Sequence, residues 1–399
     1  VSGQVVELEV GAPAHGGHCV ARLDGRVVFV RHALPGERVR AQVTGTGSRF
    51  WRADAVEVLE PSDDRVASVW PAAGPGGVGG GELAHASLDA QRRWKAQVLA
   101  EQLRRLAHDD RPVDVLGAPG DDERGGLAYR TRLDLVTDDE GRAGMFGWHS
   151  HEVHPLDTMP LAVEAIADLG LFDRTWPAQA RIVAAAGADD QPVVLVDDDV
   201  WDLRRHCADR RPTARRAVRE QVGRDIYRVA ADGFWQAHRC APGLLVDAVL
   251  AGAGDVDGAV VADLYAGAGL FTVPLAAAVG PTGEVVAVEG DTRAVRDARR
   301  NVHHLPQVSL LEADVRDSDF VHADVVVLDP PRAGARQVVV DAVAAGRPDR
   351  VVYVACDPAA LARDIALFAA HGYVLDGLSA YDVFPMTHHV ETVAVLVRA

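Results

Sequence analysis

A cysteine followed by Asp-Pro closes the β-branched run of Val351–Asp364, V-V-Y-V-A-C-D-P-A-A-L-A-R-D. Such a run suits a buried strand, and Asp357-Pro358 stops it and opens a helix. Cys356 therefore stands at the carboxyl lip of a strand, where open α/β sheets place their chemistry. Two fates fit it there: a small buried hydrophobe, or a nucleophile once its surroundings make it a thiolate. Partners for the second fate exist. L-D-P-P-R (Leu328–Arg332) ends another apolar run and offers Asp329 and Arg332. Glu391 lies downstream beside His388 and His389. It reads equally as a buried carboxylate with a raised pKa, suited to taking a proton, or as a solvated strand edge.

Upstream, A-D-L-Y-A-G-A-G-L-F-T (Ala262–Thr272) follows the run Val260–Leu264. Gly267 and Gly269 let backbone approach a ligand closely at a strand's end, and Tyr265 belongs to the same cofactor loop. A nicotinamide dinucleotide is one candidate. Thr272, however, occupies the third glycine position of the dinucleotide fingerprint, so close packing over a pyrophosphate is not provided. Acids at successive strand tips favour S-adenosylmethionine. Asp263 can receive the ammonium of its methionine part, Glu289 both ribose hydroxyls, and Asp314 the adenine amino group. Ordinary tight turns of a doubly wound sheet would explain the glycines but not those acids.

The elements that must position these residues alternate. From about Ala241, strands Val260–Leu264, Glu284–Val288, Gln307–Leu311, Val325–Leu328 and Val351–Val354 interleave with helices Leu270–Val279, Asp291–His303, Gln337–Ala345 and Ala359–His371. Tyr373–Ala380 and Glu391–Arg398 add a final pair of strands. Alternation of this kind predicts a mostly parallel, Rossmann-like sheet, here laid out as a class I methyltransferase domain over 241–399.

Earlier, residues 1–60 read as a small OB-like β-barrel. Its surest feature is Asp24-Gly25 between two apolar runs, a hairpin signal because a type I′ turn needs positive φ at both central residues. A Gly/Pro-rich linker is expected over 61–90, then a central α+β domain over 91–240. That domain should hold a helix from Ser87 to His108, a hairpin around Asp138–Gly141, helices at Leu161–Leu169 and Ala178–Ala186, and a strand at Val193–Val196. Arginines 204, 205, 210, 211, 215, 216, 219, 224 and 228 form a run there, readable as a solvated helix face or as a phosphate track.

The totals bound the rest. The 399 residues allow two or three domains, and nearly half are hydrophobic, which makes the chain globular. No apolar run reaches the ~18 residues of a membrane span, and no signal peptide opens the chain. Four scattered cysteines without metal-ligand spacing suit a reducing cytoplasm. A net charge of −17 argues against non-specific coating of nucleic acid, but local patches decide phosphate contact. Basic charge is almost all arginine; Lys95 is the only lysine.

Two alternatives for the target can be compared chemically. D-P-P also occurs in amino-group methyltransferases, where an aromatic follows to stack on the base; here Arg332 follows. An exocyclic amine has its own lone pair and needs no Cys356. Carbon 5 of uracil is a poor nucleophile until a thiolate adds at carbon 6.

Both ends of the chain carry a resemblance. G-H-C-V-A-R-L-D-G-R-V-V-F-V-R-H-A-L-P-G-E-R-V (Gly17–Val39) resembles a TRAM domain, an RNA-binding barrel. F-W-Q-A-H (Phe234–His238), the glycine loop, L-D-P-P-R, Y-V-A-C-D-P-A-A-L-A-R-D and F-P-M-T-H-H-V-E-T (Phe384–Thr392) are similar, in order and spacing, to the RNA 5-methyluridine methyltransferases. The resemblance implies Cys356 as nucleophile and Glu391 as the base that removes the carbon 5 proton. It implies Gln236 and Asp329 around the cofactor sulfonium and the uracil edge, with Phe234 and Arg332 toward substrate. It also implies RNA, ribosomal rather than transfer, as the partner of a monomer. Many relatives carry an iron–sulfur cluster, but Ala72, Val78, Gly81 and Met159 stand at its ligand positions here, so no cluster is expected. Other expectations for the same residues are a methyltransferase of amino groups or small molecules, and a non-catalytic RNA-binding relative.

Overall fold

A computed structural model describes residues 3–148, 150–189, 191–317 and 322–399; the other positions of the expected units lie outside the described residues. Strands β1 (Val5–Ala14), β2 (His18–Leu23), β3 (Arg26–Arg31), β4 (Arg38–Thr46) and β5 (Phe50–Glu60) close into a barrel in the order β1-β2-β3-β5-β4. Alternate residues such as Leu8, Val28, Val30, Val39 and Ala41 fill it. Asp24 and Gly25 both take positive φ, 48° and 80°, as the β2–β3 hairpin demands.

Helix α1 (Leu88–Gln102) is capped by the Ser87 hydroxyl, which accepts from the Ala90 amide at 3.3 Å. It buries two faces. Ala90, Trp94 and Val98 join the core beneath the barrel, whereas Leu99, with Leu103 just beyond, enters the core of the C-terminal sheet. One helix thus fastens the barrel to the domain carrying the cofactor loop. The short strand β6 (Val115–Gly117), which no sequence pattern announced, then adds to the edge of that same sheet.

The middle region is an antiparallel sheet of β7 (Arg132–Thr137), β8 (Ala143–Phe146), β9 (Val153–Pro155), β10 (Arg181–Ala185), β11 (Val193–Val196), β12 (Asp199–Asp202) and β13 (Cys207–Ala208), ordered β13-β12-β11-β10-β7-β8-β9. Its short helix α2 spans Glu164–Ala167. The helix expected over Ala178–Ala186 is instead strand β10. Its alanines favour helix, but Ile182–Ala185 are buried and bonded to β7 on one side and β11 on the other. Tertiary pairing overrides a weak local preference. The arginine run is not a helix face either. It occupies turns and the hairpin β14 (Ala217–Val222) and β15 (Asp225–Ala230).

The C-terminal domain follows its expected alternation closely: α3 (Ala241–Ala253), β16 (Val260–Leu264), α4 (Thr272–Val279), β17 (Glu284–Glu289), α5 (Thr292–Val302), β18 (Val308–Glu312), β19 (Val325–Leu328), α6 (Arg336–Gly346), β20 (Arg350–Ala355), α7 (Pro358–Ala370), β21 (Tyr373–Asp382) and β22 (Glu391–Arg398). Strand order is β18-β17-β16-β19-β20-β22-β21-β6, with β22 antiparallel to both neighbours. Order reverses between β16 and β19. Chain leaving these two strands diverges, which opens a crevice at their carboxyl ends.

Candidate active site at the carboxyl edge of the sheet

That crevice gathers the acids. Asp263, in β16, is 1% exposed, and the Thr272 hydroxyl donates to its Oδ2 at 2.5 Å. Burial pushes its carboxyl up to about 7 against that hydrogen bond, with help from the nearby charge of Glu289. Asp329 follows β19 one strand over. Burial, then repulsion from Asp263, lifts it to about 7 as well. Thr272 entered the sequence reading only as a missing glycine; in the fold it is the hydroxyl donor to Asp263.

Between β16 and α4 the loop is held open by backbone geometry. Tyr265 takes φ 64°, an uncommon conformation for a residue with a side chain, and Gly267 and Gly269 follow at 57° and 91°. The Gly267 amide donates to Glu289 at 2.8 Å, and the Asp291 amide to its other oxygen at 2.7 Å. Each carboxylate oxygen keeps a second lone pair for a ribose hydroxyl. A Cβ at Gly267 would meet nothing within 4 Å, so the loop faces open space where a ligand fits. Asp314 lies past β18, where the Arg316 guanidinium bonds it at 3.0 and 3.1 Å and holds its carboxyl down at about 2.

Cys356 comes directly after β20, and Glu391 is the first residue of antiparallel β22. Ala355 pairs with Thr392, whose hydroxyl donates to the Ala355 carbonyl at 2.9 Å, so the register sets Cys356 beside Glu391. Glu391 is 2% exposed; burial, then the charge of Asp329, raises it well above the usual carboxyl range, against Arg332. Burial, Glu391 and Asp329 push the Cys356 thiol up to about 12, again opposed by Arg332. Arg332 is exposed and lies 3.3 Å from the His389 ring nitrogen. Gln236 is buried, whereas Phe234 is 72% exposed at the surface beside it in sequence.

Four further side chains at this edge, His15, Lys95, Gln91 and Tyr129, were given no role by sequence reasoning. His15, from the β1–β2 turn of the barrel, bonds Asp357 at 2.9 Å, and Gly16 lines the same recess as Cys356, His388 and His389. Nothing local in the barrel sequence signals this. Lys95 did leave a signal, being the only lysine. It is fully buried against Asp382 and donates to the Phe384 carbonyl at 3.0 Å, pinning the segment that leads to Glu391. Gln91 and Tyr129 pin the same segment through the Met386 amide, 2.7 Å, and the Pro385 carbonyl, 3.0 Å.

At the positions of the cluster ligands, Val78 and Met159 are buried in an apolar core with Trp70 and Ala73, and Gly81 leaves space that a Cβ would take from Ala73. Ala72 is exposed there. These side chains offer no thiolate for iron.

Family models agree with the layout. One described as the TRAM domain matches residues 2–56, one described as the methyltransferase small domain matches 243–345, and one described as tRNA (uracil-5-)-methyltransferase matches 307–399. An uncharacterized RNA methyltransferase of Streptomyces coelicolor is 43% identical, covering 99% of this chain and 93% of its own. The 23S rRNA (uracil(1939)-C(5))-methyltransferase RlmD of Halomonas elongata is 33% identical over 98% of this chain and 89% of its own. Among solved structures, the Pyrococcus abyssi tRNA (uracil-54, C5)-methyltransferase in complex with S-adenosyl-L-homocysteine shares the fold, with a TM-score of 0.73 at 22% identity over 98% of this chain and 99% of that one.

Proposed function

The chain belongs to the RNA uracil-5-methyltransferase family, and on that premise we propose that it methylates carbon 5 of a uridine in ribosomal RNA through a covalent bond from Cys356 to uracil carbon 6. The observation carrying this reading is the register that sets Cys356 beside Glu391, with Asp329 one strand away. Ribosomal RNA is favoured because the Halomonas relative, whose name specifies 23S rRNA, aligns along nearly the whole chain.

S-adenosylmethionine, when bound, supplies an electrophilic methyl group. Asp263, Glu289 and the open loop at Gly267 and Gly269 are the groups that would hold it, with Asp314 toward the adenine. Cys356 lies in a recess, so the target uridine leaves its stack to reach it, with Phe234, Gln236 and Asp329 around the base. Sulfur adds to carbon 6 as the thiol proton leaves to solvent. Carbon 5 then carries the electron density that takes the methyl group. Glu391 removes the carbon 5 proton, the 5,6 double bond re-forms, and the S–C6 bond breaks. The charge of Arg332 favours the ionised forms of both Cys356 and Glu391.

Incubation with S-adenosylmethionine and ribosomal RNA containing 5-fluorouridine tests the reading. Fluorine cannot leave as a proton, so a denaturation-resistant protein–RNA adduct is expected, and Cys356→Ala should abolish it. Methyl transfer that survives Cys356→Ala would overturn the mechanism in favour of an amino-group target. An adduct with transfer RNA alone would overturn the ribosomal assignment.

A further inference from the structure

The arginine run of residues 204–228 is not uniform in the fold: some members are neutralised by aspartates, among them Arg215, whose Asp189 partner lines the same cleft as Arg219 and Arg228. Arg205, Arg210, Arg211 and Arg215 each meet an aspartate: Asp202 at 3.7 Å, Asp199 at 3.8 Å, Asp209 at 2.6 Å and Asp189 at 2.7 Å. They are a solvated, internally neutralised surface. Arg219 and Arg228 are different. They are direct cross-strand partners on β14 and β15, both exposed, and among the described residues neither forms an ion pair. Like charges placed directly opposite in a ladder destabilise it.

Facing this pair across a cleft of about 1000 Å³ is α5, which contributes Arg296, Arg299 and Arg300, with His303 and His304 just beyond its end. Arg296 is exposed, and it too has no ion pair among the described residues. Arg300 leans on Asp297 at 3.2 Å and Arg299 on Glu312 at 3.8 Å. The cleft is rigidly built. Asn301 is 5% exposed; it accepts from the Arg228 amide at 2.9 Å and donates to the Ala268 carbonyl of the glycine loop at 2.8 Å. The Asp297 carboxylate accepts from the Ala230 amide at 2.7 Å. Two elements about seventy positions apart in sequence are thus clamped so that unpaired guanidiniums converge, in a protein of net charge −17.

We propose that the cleft between β14–β15 and α5, centred on Arg219, Arg228 and Arg296, is a phosphodiester-binding site that grips substrate RNA away from the target uridine. It rests on the RNA-methyltransferase reading and extends it. Arginine suits the role because its planar fork matches phosphate oxygens and it does not lose its charge. The cleft reads no bases; it sets how RNA lies across the protein. Its link through Asn301 to the cofactor loop fixes the track relative to the catalytic edge.

The test compares wild type with the triple variant Arg219→Ser, Arg228→Ser, Arg296→Ser, in the full chain. Binding of a labelled mixed-sequence RNA of about 40 nucleotides is measured between about 50 and 200 mM salt. Affinity should drop at least tenfold at the lowest salt. The slope of log K against log salt should shrink by about 2 to 3, because each arginine removed leaves one phosphate with its counterion. S-adenosylmethionine affinity by calorimetry should hold, and the melting temperature should not fall, since a repulsive pair has been removed. An unchanged RNA slope in the variant would overturn the site. So would equal, variant-sensitive binding of poly-glutamate, which would make the cleft a dock for acidic protein. The 5-fluorouridine adduct is scored separately in wild type: its absence removes the enzymatic reading, while its presence with an unaltered RNA slope removes only the cleft.

Discussion

Like charges are crowded together in two places in this molecule, and the outcomes are opposite. At the carboxyl edge of the sheet, the buried Asp263 and Glu391 lie near the half-buried Asp329; the carboxyls of Asp263 and Asp329 rise to about 7 and that of Glu391 well above its ordinary range. In the cleft beside α5, Arg219, Arg228 and Arg296 converge in the open. A buried carboxylate can relieve its stress by taking a proton, so repulsion there becomes a store of basicity. An arginine cannot give its proton up, so repulsion at a wet surface persists until an anion arrives. One arrangement prepares proton transfer; the other waits for phosphate.

The largest break in this contrast is at Glu391. Glu391→Gln keeps shape and hydrogen bonding but cannot accept the carbon 5 proton, so turnover should fall by about 10²–10⁴. Ordinary uridine RNA should then accumulate as a covalent species on denaturing gels; a variant that still releases methylated RNA at the wild-type rate would show another base at work.

Lys95 and Asp382 provide the contrasting buried pair, of opposite sign. Lys95→Met leaves Asp382 stranded and should cost about 3–5 kcal/mol in denaturant unfolding. Lys95→Met with Asp382→Leu should recover most of it. If the single variant loses nothing, the pair is not what pins the segment before Glu391.

The pH profile follows from the raised values. Cys356 must be a thiolate and Glu391 a carboxylate, and both are held protonated above their ordinary ranges. Single-turnover methylation should therefore climb with pH through neutrality, by up to about tenfold per unit. A plateau already reached at pH 6 would contradict both shifts, since it needs Glu391 in the ordinary carboxyl range and the Cys356 thiol well below the ordinary thiol value of about 8.5.

Stability should move the other way. The raised carboxyl of Asp329 binds its proton more tightly in the folded state, so its favourable contribution is full in acid. It is lost as pH rises from the ordinary carboxyl value through about 7. Asp329→Asn removes that loss, and its melting temperature at pH 8 should exceed wild type by on the order of a degree or two, with the gap closing in acid.

The smallest effect belongs to the exposed pair. Arg219→Gln should stabilise by a few tenths of a kcal/mol, about 0.2–1 at most, and only at low salt. Thermal scans near 1 M salt, where the Debye length is about 3 Å, should show no difference.

How much of this could be read beforehand depends on what kind of information each feature carries. The C-terminal strands and helices were legible because parallel strands buried on both faces read as unbroken apolar runs, with punctuation between them. Glu289, Asp329 and Cys356 were legible as candidates because each stands at the carboxyl end of such a run, whereas Glu391 opens a strand and read equally well as a solvated edge. Ala178–Ala186 misled because its alanines favour helix, and the pairing that overrides them, above all with β7 far upstream, is not visible locally. His15 could not be found at all: its partner Asp357 is 342 residues away and neither flank hints at the other.

Sequence alone determined the order of the strands' tips, the identities of the groups on them and the family they belong to, because period, punctuation and residue type are local. Tertiary structure alone decided which of those groups meet. The antiparallel register of β20 and β22 put Glu391 against Cys356, and α1 brought the barrel's turn to the same recess. It also sorted a run of arginines into neutralised and waiting ones. Whether a charge is paired, buried or repelled depends on neighbours that only the folded chain supplies.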